Sequence, residues 1–202
     1  MRMPQRSAFG VYAALTSQIA SLAALVAFEE LRGQDLALQI AAFGGDPKAP
    51  GAEAVVGDVT VFAVLVMALV VTTVFAAAAY LSWLASAAGV RRLTATAAWL
   101  VPPVNLVGPV LLADQAWRER ANGSRARWLV LLTAWWVAGL TTIWLLADSH
   151  ASHTNLTGVG VRELTAAGVT ALLCAATVWE VSSPRTLRLP RQVIAALSPS
   201  SK

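Results

Sequence analysis

Apolar residues run along this chain in long blocks separated by short polar or charged gaps, with none of the two-residue alternation of a half-buried strand. Positions 8–28, 59–82, 128–147 and 163–182 form four such blocks. A hydrocarbon layer about 30 Å thick needs roughly 20 apolar residues in a helix to cross it, so the pattern predicts four membrane spans. The first three blocks contain no charged residue. The fourth reaches full length by taking in Glu163 and Glu180, which are expected among the headgroups at its two ends. Arg2 and Arg6 precede the first block as in a signal peptide. Its apolar run, however, exceeds the about 7–15 residues of a signal core, and it reads as a retained helix.

A fifth apolar stretch, residues 97–113, carries Pro102, Pro103 and Pro109. Prolines inside a helix remove N–H groups and clash with the carbonyl four residues back, which argues against a straight span here. Basic residues, which favour the cytoplasmic side, test the point independently. If the stretch does not cross, Arg2, Arg6, Arg91, Arg92, Arg118, Arg120, Arg125, Arg127, Arg185, Arg188, Arg191 and Lys202 are inside, twelve against three outside (Arg32, Lys48, Arg162). If it crosses, five remain inside against ten. The four-span threading wins. The expected fold is therefore all-α. Residues 1–183 form one integral membrane bundle of four transmembrane helices. Both termini are cytoplasmic, and a Pro-rich cytoplasmic or interfacial helical segment (about 97–120) lies between the second and third spans. Pro102 or Pro103 is expected to open a short helix there, and Pro109 to bend or interrupt it. Residues 184–202 make a basic cytoplasmic tail, with a short surface helix near 191–197. Trp83, Trp99, Trp117, Trp128 and Trp179 fall near the inner interface, where indoles anchor.

Composition agrees with a lipid setting. Of 202 residues 57% are hydrophobic and 13% charged, with a formal net charge of +4, and the mean hydropathy is +0.63. Too few charged residues are present to coat a soluble body of this size. One cysteine, Cys174, excludes a disulfide-stapled module. The segment Glu29–Asp58 carries a net charge of −4 and reads as a solvated outer loop with one short helix at Asp35–Phe43. No calcium-loop spacing occurs in it.

Candidate chemistry is sparse. The spans hold no ionisable residue away from their ends, which argues against a proton-coupled transporter, and Gln18 is expected to bond a neighbouring helix. His150 and His153 beside Asp148 are weak metal candidates. No histidine lies in a span to hold a haem, and Cys174 reads as an inert buried thiol. No nucleophile elbow, phosphate loop or paired CxxC is present. No cofactor and no nucleic-acid partner is implied. The arginines between 118 and 127 and between 185 and 191 instead fit anionic lipids at the cytoplasmic face. Small residues recur every four positions (Ala13, Ser17, Ser21; Ala68, Thr72, Ala76; Ala134, Ala138, Thr142; Ala167, Ala171, Ala175), a spacing that lets helices approach closely.

One element is distinctive: a Trp-x-x-Pro step, an Asn-Leu pair, a further proline and a Trp-Arg pair. Here these are Trp99, Pro102, Asn105 with Leu106, Pro109, and Trp117 with Arg118. The stretch resembles a bacterial family of multi-span membrane proteins catalogued as domain of unknown function 4328. The likeness covers roughly Val59 to Ala147. It departs from the pattern at Pro103, which doubles the first proline, and at Gln115, which stands where an acidic residue is expected, with Asp114 adjacent. The resemblance implies a bacterial plasma-membrane protein and no particular activity. Physically, Trp99, Pro102, Asn105, Pro109, Trp117 and Arg118 form a structural brace or, alternatively, a small ligand- or lipid-binding cleft. Asp114 and Glu119 are the only acid/base candidates nearby, and residues of this kind usually stand on a solvated helix face. The reading that follows is a non-enzymatic accessory or scaffold protein with a membrane-protein partner. A membrane sensor is the second reading, and an interfacial enzyme the third.

The threading has a direct test. A cysteine at Ser124 in a Cys174→Ala background should resist an impermeant thiol reagent in intact cells and react after permeabilisation. Labelling of intact cells would overturn the four-span arrangement.

Overall fold

The computed structural model describes residues 3–44, 46, 50, 52–100, 107–120, 124–149 and 156–183. Among them the chain is helical throughout, with no strand. Helix α1 (Met3–Phe28) passes through a wider π turn (Glu29–Gly33) directly into α2 (Gln34–Ala42). Next come α3 (Glu53–Ala87), α4 (Arg92–Leu100), α5 (Gly108–Arg120), α6 (Arg125–Ser149) and α7 (Val161–Ser182). Four stretches are long and apolar enough to cross a membrane: Ser7–Ala42, Glu53–Ala87, Arg125–Asp148 and Val161–Ser182. These correspond to the four blocks expected from the sequence.

One expectation about the connections needs correction. Glu29–Asp58 is largely helical rather than a solvated loop. The first helix runs on to Ala42 and α3 starts at Glu53, so only residues 43–52 separate the two. At about 1.5 Å per residue, stretches of 36 and 35 residues are roughly 50 Å long and outreach a hydrocarbon layer. Arg32 and Asp58 face each other across these extensions at 3.9 Å. The acidic residues read as loop were helix-compatible, with no proline between Glu29 and Phe43 to stop the run.

Pro109 was expected to bend or interrupt a short helix opened by Pro102 or Pro103. It lies at the start of α5, fully buried, where a missing N–H has no intrahelical acceptor to deprive. It stands in the first turn of α5, and the stretch it was expected to bend or interrupt lies outside the described residues. Pro102, Pro103, Asn105, Leu106, His150, His153 and the expected surface helix at 191–197 lie outside the described residues, as does the side chain of Trp99.

Helix α1 packs along α3 and α7, α6 packs along α7, and α4 and α5 pack on each other and on α3. The turn from α3 into α4 depends on Gly89, whose φ of +64° suits a residue without Cβ. There the Val90 N–H donates to the Ala85 carbonyl (3.1 Å) and closes the helix end. Burial is uneven. One dense cluster joins Val11, Trp83, Leu84, Ala116, Trp128 and Val178, all near the end where α5 sits. Toward the other end, among the described residues, Leu22, Val26 and Val159 form a smaller buried group. Gln18 Nε2 donates to Thr73 Oγ1 (3.2 Å), so this polar side chain does bond a neighbouring helix.

The far end is held by polar contacts. Glu29 is 3% exposed, and its Oε1 accepts from the Thr157 N–H (3.0 Å) and the Thr157 hydroxyl. Glu163, expected among headgroups, is buried instead and accepts from the Gly160 N–H (2.9 Å) to cap α7. Glu29→Ala strands those two donors and should lower the unfolding midpoint in detergent by about 5 °C. Glu29→Gln keeps an acceptor and should lose less, as a thermal scan would read.

Candidate functional site

The polar contacts near the dense end of the core converge on Asp114. Helix α5 begins at Gly108 with Pro109 packed beneath it and buries Ala113 and Ala116 against the core. That places Asp114 and Trp117 on the side facing α6. Arg125 opens α6 and lays its guanidinium fork on the Asp114 carboxylate, Nη1 to Oδ1 and Nη2 to Oδ2 (2.9 Å). The Trp128 indole N–H donates to Oδ1 (3.0 Å), and Arg118, one turn along α5, meets Oδ2 at 2.9 Å. Two-pronged arginine–carboxylate pairs combine charge with fixed geometry.

Aromatic packing reinforces this clasp. The Trp117 and Trp128 rings stack in parallel, 9° apart in plane and 5.6 Å between centroids. The Arg125 guanidinium lies 5.3 Å over the Trp117 ring. On the neighbouring helices, Trp83 Nε1 donates to Ser182 Oγ (3.0 Å), linking α3 to α7. Arg127 and Glu180 pair at 3.6 Å between α6 and α7. Gln115, where an acidic residue was expected, donates to the Ala88 carbonyl and to Glu119, both at 3.4 Å, and so attaches α5 to the end of α3.

Several expectations meet the structure here. Of the motif residues, Pro109, Trp117 and Arg118 are described, and they cooperate around Asp114. Trp117, Trp128 and Trp83 are not interfacial anchors: they are buried at 7%, 1% and 1% exposure, inside protein. Trp179, at 67% exposure, remains available to an interface. Asp114 is not on a solvated face, since its side chain is only 13% exposed. The importance of Arg125 and Trp128 was missed, because they lie beyond the motif on the next helix. The available signal was an acidic residue in α5 followed by an arginine and a tryptophan at the start of a span. No group of three potential metal ligands occurs among the described residues. Comparison with family models, curated proteins and solved structures finds no match.

Electrostatically, the bonds from Arg125, then the Trp128 N–H and the charge of Arg118, hold the Asp114 carboxyl below its usual range despite burial. A carboxylate kept ionised by three donors is poorly placed to exchange protons in catalysis. Its chemical effect is to bind α5 to α6.

Because the carboxyl is lowered, its stabilisation is present at neutral pH and is lost as pH falls below about 4 through the lowered value. Asp114→Asn should lower the unfolding midpoint at pH 7 by about 5 °C. Its deficit against the native protein should close in acid. Melting curves from pH 7 down to 3 in a neutral detergent check both statements.

Proposed function

We propose that this is a non-enzymatic membrane protein that serves as an accessory or scaffold subunit of another membrane component. In this reading the four long helices cross a bacterial plasma membrane as one bundle, with both termini in the cytoplasm. The α4–α5 segment is a proline-rich element turned back against the inner end of α3. The excess of basic residues at the α5 end supports that placement.

The observation that carries the functional reading is the use made of Asp114. The carboxylate closest to the distinctive motif is held by Arg125, Arg118 and Trp128, an arrangement that fixes helix positions. The tryptophans around it fill a core and do not line an open cage. Meanwhile α3 turns a broad apolar surface outward, including Val64, Met67, Val70, Val74 and Phe75. A rigid end and a long apolar flank suit a protein that presents a helix to a membrane partner, where packing governs association. Arg118 and Arg127 keep much of their surface free and suit anionic headgroups.

Native mass spectrometry of the tagged protein, extracted from its own membranes in a mild detergent, tests the reading. A second protein in fixed stoichiometry is the expected result, lost when Val70 and Val74 are both replaced by tryptophan. A monomer or homo-oligomer with no other protein attached would overturn it.

A further inference from the structure

Helices α3 and α6 pack on α1 and on α7 respectively, and not substantially on each other. They meet through Tyr80 and Trp135, whose ring centroids are 5.7 Å apart. Beyond those rings a cavity of about 430 Å³ separates them, with α1 and α7 forming its back wall and Thr96 of α4 reaching its lining. This size falls within the range of small-molecule sites.

The lining is apolar except for a few hydrogen-bonding side chains, and it contains no acidic or basic residue. Gln18, Thr73, Thr142 and Thr170 come from four different helices. Counted from the helix ends nearest Asp114 at about 1.5 Å per residue, they lie roughly 18 to 26 Å along. That is the middle of a layer about 30 Å thick whose headgroups take in the helix ends. Hydrogen bonds already orient them. Thr142 donates to the Ala138 carbonyl (2.9 Å), so in its 2.9 Å contact with Thr170 the Thr170 hydroxyl must be the donor. The Thr170 oxygen therefore keeps a lone pair. Gln18 gives one N–H to Thr73, and an amide has a second N–H and a carbonyl besides. Donors and acceptors thus occur together in a cavity without charge.

We propose that this cavity binds an uncharged, membrane-soluble small molecule whose hydroxyl or carbonyl group meets Gln18 and Thr170 while its apolar part lies against Trp135 and Tyr80. The absence of charge disfavours an ionised ligand, which would lose its hydration without a counter-charge. The opening between two spanning helices admits the molecule from the hydrocarbon layer. The inference goes beyond the scaffold reading and does not require it.

The test uses the full chain in vesicles of phosphatidylethanolamine and phosphatidylglycerol, with a trace of a long-chain alcohol bearing a photoreactive diazirine. After irradiation, peptide mass spectrometry locates the label. The expected label falls on residues 76–81, Trp135 and residues 167–174. Ala171→Phe, which fills the cavity, should abolish it, and Gln18→Leu should reduce it about fivefold, the effect of one lost hydrogen bond. Circular dichroism and gel filtration identify any variant that fails to fold. In that case competition in the native protein by an excess of unlabelled alcohol, against no competition by an alkane of equal length, decides. Label spread over the outer face of α3 at Val74 and Phe75, unchanged by the variants or the competitor, would show bulk lipid contact and overturn the proposal. So would a photoreactive side chain placed at Thr73 that captures a partner protein in native membranes, an outcome that leaves the scaffold reading standing.

Discussion

A carboxylate shielded from solvent must be neutralised or held by donors, and Asp114 is held. That requirement organises the neighbouring structure. To supply the donors, the first turn of α6 must lie beside the last turns of α5, so the connection between them is short and its direction is set. With Arg125 and Trp128 committed to the carboxylate, Trp128 stacks on Trp117. The pair then completes a core that takes in Trp83 and Leu84 from α3 and Val178 from α7. Packing in lipid has little hydrophobic drive between helices. Directional polar contacts therefore have a larger share in choosing which helix faces meet.

Much of the architecture was legible in the sequence because membrane spans are written in runs of residues rather than in single positions. The four apolar blocks became four long helices, and Gln18 found a neighbouring helix. Helix ends were less legible. A charged residue such as Glu29 reads as a boundary when the sequence stands alone, yet it is buried where the Thr157 N–H and hydroxyl from another segment meet it. Tertiary partners of that kind leave no local trace.

The candidate site was legible only by half. The motif pointed to α5, and Trp117 and Arg118 do belong to the clasp. Its two principal donors come from the following helix, beyond the segment in which the pattern is compact. The tryptophans illustrate the same limit. An indole near a predicted interface has two good environments, headgroups or a core in which its N–H finds an acceptor. Trp83 and Trp128 took the second because Ser182 and Asp114 stood within reach.

The uneven distribution of buried contacts has a mechanical consequence. Stability within a protein follows local contact density, and segments with few buried contacts open at lower free energy than the whole. Here the aromatic core, the Asp114 clasp and the Gln115 and Arg127 links are gathered at one end. Among the described residues, the opposite end has a smaller apolar group, the Glu29–Thr157 contact, the Glu163 cap and the Arg32–Asp58 pair. The four long helices are thus clamped at one extremity like the arms of a tuning fork. By the same rule, separation of the helices at the other extremity opens at lower free energy than the clamp.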